Sequence, residues 1–203
     1  LSTVMSPRKP MFKVWDPLVR LFHWSLVLFF FIAYFAEIDS PRLHSYSGYA
    51  ILLMLLFRIV WGFIGTPYAK FQDFLCSPRV IWAYLGRLFG DRRLGYVGHN
   101  PAGALMIVVM LVGLLITALS GLTLFAMEGS GPLAHTVVAT LPASIVEPIH
   151  EIAADVMVVM VVLHVAGVLV ASKLHRENLM LAMITGKKRV RTSNRQAAAG
   201  VED

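Results

Sequence analysis

Four apolar runs separated by polar stretches set the pattern of this chain. They lie at about 18–36 (LVRLFHWSLVLFFFIAYFA), 44–64 (HSYSGYAILLMLLFRIVWGFI), 102–127 (AGALMIVVMLVGLLITALSGLTLFAM) and 148–172 (PIHEIAADVMVVMVVLHVAGVLVAS). Each is close to the ~20 residues that a helix needs to cross a bilayer core. The pattern therefore predicts an all-α integral membrane protein built as a four-helix transmembrane bundle. Between the second and third runs, SPRVIWAYLGRLFGDRR (77–93) places Val80, Ile81, Tyr84, Leu85 and Leu88 at helical spacing, with Arg79 and Arg87 interleaved. That segment is too short and too basic to span. It predicts an amphipathic helix over about 77–89 lying in the membrane interface. The connection 128–147 predicts at most a short surface helix, and the basic tail from Lys173 onward is expected to fray.

Composition agrees with this picture. Of 203 residues, 57% are hydrophobic and only 15% charged, with a mean hydropathy of +0.69. The single Cys76 excludes an intramolecular disulfide, and no CxxCH or CxxC motif is present for covalent haem attachment or thiolate metal ligation. The first run has the basic flank of a signal peptide. It lacks a small-x-small cleavage site and carries His and Trp in its core, so it is expected to stay as a span.

The net charge of +6 acquires its meaning from where it falls. The loop 37–43 holds only Arg42 and the loop 128–147 has no Lys or Arg. The N-terminal segment, the stretch 65–101 and the tail, with Lys187, Lys188, Arg189 and Arg191, hold nearly all the rest. Basic residues near span ends mark the cytoplasmic side, so both termini are expected in the cytoplasm. The expected organisation is a basic segment 1–17, a bundle 18–172 and a basic tail 173–203. The charge is a topology and membrane-lipid signal, not a nucleic-acid site.

Two histidines, His150 and His164, interrupt the last apolar run. Fourteen residues separate them, which is ~21 Å along a helix and brings the second back within ~40° of the first. With the orientation fixed by Lys and Arg alone, His23 falls near the cytoplasmic side and His44 near the outer side. His150 is outer and His164 inner. The four histidines thus sort by depth into an outer couple, His44 and His150, and an inner couple, His23 and His164. Ionisable residues inside a membrane usually mark function. Paired imidazoles from facing helices suit a flat macrocycle gripped at both axial positions. That ligand set leaves no open position, so electron transfer is the expected task. Gly48 and Gly167 stand near these histidines, where small residues would admit a porphyrin or simply allow close helix packing. Ordinary packing or hydrogen-bonding histidines are the competing reading. A zinc site is disfavoured, because only two histidines share each depth, with Glu151 and Asp155 the nearby carboxylates.

VWDPLVRLFHW (14–24), HSYSGYAILLMLLFRIVWG (44–62), GHNPAG (98–103) and the His150–His164 spacing resemble the bacterial cytochrome b561 family, including the b-type cytochrome subunit of nickel–iron hydrogenase. The resemblance covers about residues 12–185. It implies a multi-pass protein of the bacterial inner (cytoplasmic) membrane with two non-covalent b haems, ligated through His23, His44, His150 and His164. It further implies a relay between membrane quinone and a periplasmic or membrane-bound redox partner, such as a c-type cytochrome or a hydrogenase. Whether the chain turns over by itself is open. So is its assembly, a homodimer included. Two alternatives stand: direct superoxide:quinone chemistry at the outer haem, and a haem-free membrane anchor.

Two arginines are candidates for haem propionates. Arg20 precedes His23 by about one turn, with an interfacial anchor as its alternative. Arg58 lies inside the second span, where a buried guanidinium needs a partner unless it snorkels to headgroups. In GHNPAG, Asn100 reads as a helix cap and Pro101 as a first-turn residue. His99 could approach a quinone or propionate, or serve the loop. Met157, Met160, Met180 and Met183 read as packing residues.

Overall fold

The computed structural model describes residues 11–13, 15–67, 69–87, 100–175 and 178–189. Four helices are long and apolar enough to cross a membrane: α1 (Pro17–Ala36), α2 (Pro41–Ile64), α4 (Pro101–Met127) and α5 (Ala143–His175). The shorter α3 (Pro78–Arg87) lies within the segment expected to be interfacial, and it packs on α4 with Tyr84 buried.

Local chemistry explains where the helices start. Each of α1 to α4 begins on a proline, whose fixed φ suits the first helical turn and whose missing N–H costs nothing there. Ahead of α1, the Asp16 carboxylate accepts from the backbone N–H of Leu18 at 2.6 Å and of Val19 at 3.4 Å. Ahead of α4, the Asn100 side chain accepts from Gly103 N–H at 2.7 Å. Both satisfy donors that a bare helix end leaves open. The helix α5 begins earlier than hydropathy predicts, at Ala143, and carries Pro148 inside it. Glu147 and Pro148 cut these first residues (ASIV) off from the apolar run, and an internal proline reads in sequence as a helix boundary.

Packing follows a chain of neighbours. The helix α1 runs along α2, α2 packs on α4, and α4 runs along α5. Among the described residues, no comparable packing joins α5 to α1 or to α2. At mid-height, Ile51, Leu55, Leu114 and Met157 form a buried cluster, wrapped by Leu26, Phe29, Phe30, Met110, Leu111 and Met160. Most remaining large apolar side chains face outward, as expected for a bundle whose solvent is lipid.

Both ends of the described chain meet at one end of the bundle. The strand β1 (Met11–Lys13) pairs antiparallel with β2 (Lys187–Arg189), Phe12 opposite Lys188. Between α5 and β2 lies α6 (Leu179–Thr185), capped by the Asn178 side chain and ended by Gly186 at φ 77°. The Arg20 guanidinium donates to Ile184 O, the last turn of α6, and Trp15 N–H donates to Gly186 O. Thr66 Oγ1 donates to the second oxygen of Asp16 at 2.6 Å. The expectation of a fraying tail is therefore corrected for residues 173–175 and 178–189. The apolar LMLAMIT (179–185), between a cap and a terminating glycine, forms a helix that basic composition obscured. The residues from 190 onward, and His99, lie outside the described residues.

Candidate functional site

Each of the four histidines sits on a spanning helix, and the rings that share a depth face one another across the bundle. At the end away from the chain termini, His44 on α2 and His150 on α5 have ring centroids 6.0 Å apart at an interplanar angle of 80°. At the termini end, His23 on α1 and His164 on α5 have centroids 6.3 Å apart at 51°.

These separations can be compared with what one shared metal requires. A metal–imidazole bond is about 2 Å and the ring adds about 1 Å on each side, so two rings on opposite sides of a metal have centroids about 6 Å apart. Both pairs meet that requirement. They also join helices whose backbones otherwise stay apart, α5 with α2 and α5 with α1.

At the far pair the ring tautomers are set. His44 Nδ1–H donates to Ala33 O at 2.9 Å, and His150 Nδ1–H donates to Thr117 O at 2.9 Å. A carbonyl can only accept, so each Nδ1 carries the proton and each Nε2 keeps its lone pair for a metal. Ser120, buried on α4, places its Oγ 3.1 Å from His150 Nδ1 and can donate to Ile116 O. Behind the same ring, Gly121 leaves the room that a Cβ would close, since such an atom would stand 2.7 Å from His150 Cε1. Sequence reasoning missed Thr117, Ser120 and Gly121. Their only signal is small and polar character inside an apolar run.

The termini-side pair is built differently. His23 stands edge-on to Trp24, with centroids 5.1 Å apart, and its Nδ1 is buried without a hydrogen-bond partner. Near each pair stands a glycine with open space beside it: a Cβ at Gly48 or Gly167 would meet nothing within 4 Å. Neither glycine is needed for helix contact within the chain, which removes intrachain close packing as its explanation.

Arg58 belongs to the inward stripe of α2, which runs Ser47, Ile51, Leu55, Arg58, Gly62. It is 4% exposed. Its Nη2 donates to Ala69 O at 3.1 Å, and its guanidinium carbon lies 5.0 Å from the Phe71 ring centroid. Its Nη1 is buried with no partner. Arg58 lies fourteen residues beyond His44, as His164 lies fourteen beyond His150, which puts it at the level of the termini-side pair. Arg20 is spent in part on Ile184 O, while its Nε is buried and free. Glu151 and Asp155 are exposed on α5, and His135 is exposed in the connection before it. Among the described residues, no three His, Cys, Asp or Glu side chains converge as a metal cluster.

The profile of prokaryotic cytochrome b561 matches residues 14–186, which takes in all four spans and the whole of this arrangement. The chain belongs to the prokaryotic cytochrome b561 family. As a cytochrome b561 it is a multi-pass prokaryotic membrane protein of b-type haem electron transfer. No curated protein and no solved structure matches the chain.

Proposed function

We propose that this cytochrome b561 carries two b haems, one between His23 and His164 and one between His44 and His150, and passes electrons across the bacterial inner membrane. The observation that carries this reading is the recurrence, at two heights, of imidazole pairs 6.3 Å and 6.0 Å apart. His23 with His164, and His44 with His150, would each hold one haem iron, which would supply one-electron exchange rather than oxygen binding.

The chain's own residues do the rest. Ala33 O and Thr117 O orient the far pair and fix its tautomers. Arg58, buried with a free donor at the level of His164, is suited to the acidic edge of a porphyrin there, with Arg20 Nε a second donor one turn from His23. Between the pairs, Ile51, Leu55, Leu114 and Met157 form an apolar layer. Met157 lies seven residues from each of His150 and His164, and it is 1% exposed. Such a layer is passable to a tunnelling electron and closed to ions.

Basic residues at the termini end, Lys13, Arg20 and Lys187 among them, support a cytoplasmic position for that end; on this reading His23 and His164 form the inner site and His44 and His150 the outer. Membrane quinone and a periplasmic or membrane-bound redox protein, such as a c-type cytochrome or hydrogenase, are the proposed exchange partners. His164→Ala and His23→Ala should each leave about half the haem, with the outer haem's spectrum intact. Loss of the outer signal, or no loss at all, would show the pairing to be wrong.

A further inference from the structure

We propose that the outward face of α5 is an interface for a second copy of this chain, joined inside the membrane by Asp155 meeting its own counterpart. The face lies on the opposite side of α5 from the histidines, so it does not depend on how many haems the bundle holds.

Asp155 is out of place on a lipid-facing helix surface. It stands five residues beyond His150, which puts it ~7.5 Å deeper and ~140° around the helix from that ring. Two residues further on, Met157 is buried in the mid-height cluster, so Asp155 lies at hydrocarbon depth. Yet it is exposed, and no hydrogen bond or ion pair among the described residues engages it. A carboxyl facing lipid at that depth is costly, and intramembrane acids ordinarily face a partner.

A stripe runs through the same position. Ile152, Asp155, Val159, Val162, Ala166 and Leu169 follow one another at alternating intervals of three and four residues, and all of them are exposed. That is the 3.5-residue repeat of a seam between two helices. Ile152 and Val159 supply the β-branched positions that parallel pairs favour, and a single polar residue within such a seam fixes its register.

Symmetry makes the second copy the fitting occupant. Two copies in one membrane share their orientation, so a two-fold axis along the membrane normal sets each residue of α5 against its counterpart at the same depth. A carboxyl that carries its proton both donates and accepts. Two of them across the axis satisfy each other with no group supplied from elsewhere. A salt bridge to another face of the bundle is not on offer: in the spanning helices Arg58 is buried, and Arg20, Arg42 and Lys173 lie near span ends.

The test is oxidative cross-linking of the full-length chain in intact membranes, with Cys76, the single cysteine, replaced by serine. Val159→Cys reports on the stripe, and Leu53→Cys on α2 is the control. Leu53 lies nine residues from His44 as Val159 lies nine from His150, so their depths match. Both are open to lipid, Leu53 at 69% exposure and Val159 at 55%. Oxidation should join Val159→Cys chains into a disulfide-linked dimer and leave Leu53→Cys chains single. Added to Val159→Cys, Asp155→Val should lower the dimer yield several-fold while haem per chain stays at the wild-type value. Asp155→Asn, whose amide also donates and accepts, should keep most of the yield. Equal cross-linking at the two positions, none at Val159→Cys, a product with the mass of a different protein, or full yield from Asp155→Val would overturn the proposal. So would loss of haem in Asp155→Val, since the stripe would then serve the bundle itself.

Discussion

Replacing Gly48 by alanine separates two accounts of the space beside His44. Without a bound group, the new methyl meets nothing within 4 Å. Alanine is then simply the better helix former, worth up to about 1 kcal/mol in the middle of α2. If a porphyrin lies against that backbone, the methyl is inserted into an already filled contact, at a cost of about 1–3 kcal/mol. At tenfold per ~1.4 kcal/mol, that weakens retention of the outer haem roughly five- to hundredfold. The two effects have opposite signs and can be measured on one preparation: haem retained per chain through detergent washes, and the thermal midpoint of haem-depleted protein. Gly86→Ala on α3, equally free of contacts but far in sequence from the histidines, is the control and should keep all its haem. The reasoning fails if Gly48→Ala holds both haems as tightly as the wild type and merely melts higher.

Three further outcomes are expected. Gly121→Ala sets a methyl 2.7 Å from His150 Cε1, so it should tilt the ring off Thr117 O and cost outer haem. Ser120→Ala, which leaves that carbonyl bond intact, should cost no more than about 1 kcal/mol; haem content of the two variants compares them. Asp16→Ala removes the cap of α1 and the bond to Thr66, so the detergent-solubilised protein should lose about 1 kcal/mol or somewhat more, read as a lower thermal midpoint with both haems still present. Because the outer rings lie at 80° and the inner at 51°, the outer haem should give the more anisotropic low-spin paramagnetic resonance signal. His44→Ala should abolish that signal and His23→Ala should spare it.

The spans were legible because lipid leaves the chain few choices: every backbone polar group must be satisfied internally, so each apolar run of sufficient length becomes a helix. The pairing of the histidines was legible too, because Lys and Arg, taken as markers of the cytoplasmic side, order the span ends independently of the histidines. Helical rise then placed His23 level with His164 and His44 level with His150. Residues that act through shape rather than chemistry stayed hidden. Gly121 and Ser120 look like any small pair in an apolar helix, and only the backing of His150 gives them a role. Arg20 looked like a partner for a haem propionate or an interfacial anchor, and the structure engages it with the end of α6. That contact joins segments 164 residues apart, and no local pattern encodes it. The clasp of β1 on β2 was unreadable for the same reason, its basic composition suggesting only a solvated tail.

The central claim is that two imidazole pairs each hold one iron porphyrin. It is tested most directly by counting haem per chain in the purified wild type by pyridine haemochrome, alongside the number of low-spin bis-imidazole signals in its oxidised resonance spectrum. Two haems and two distinct low-spin signals per chain are predicted. One haem, none, or a high-spin iron with an open position would contradict the account.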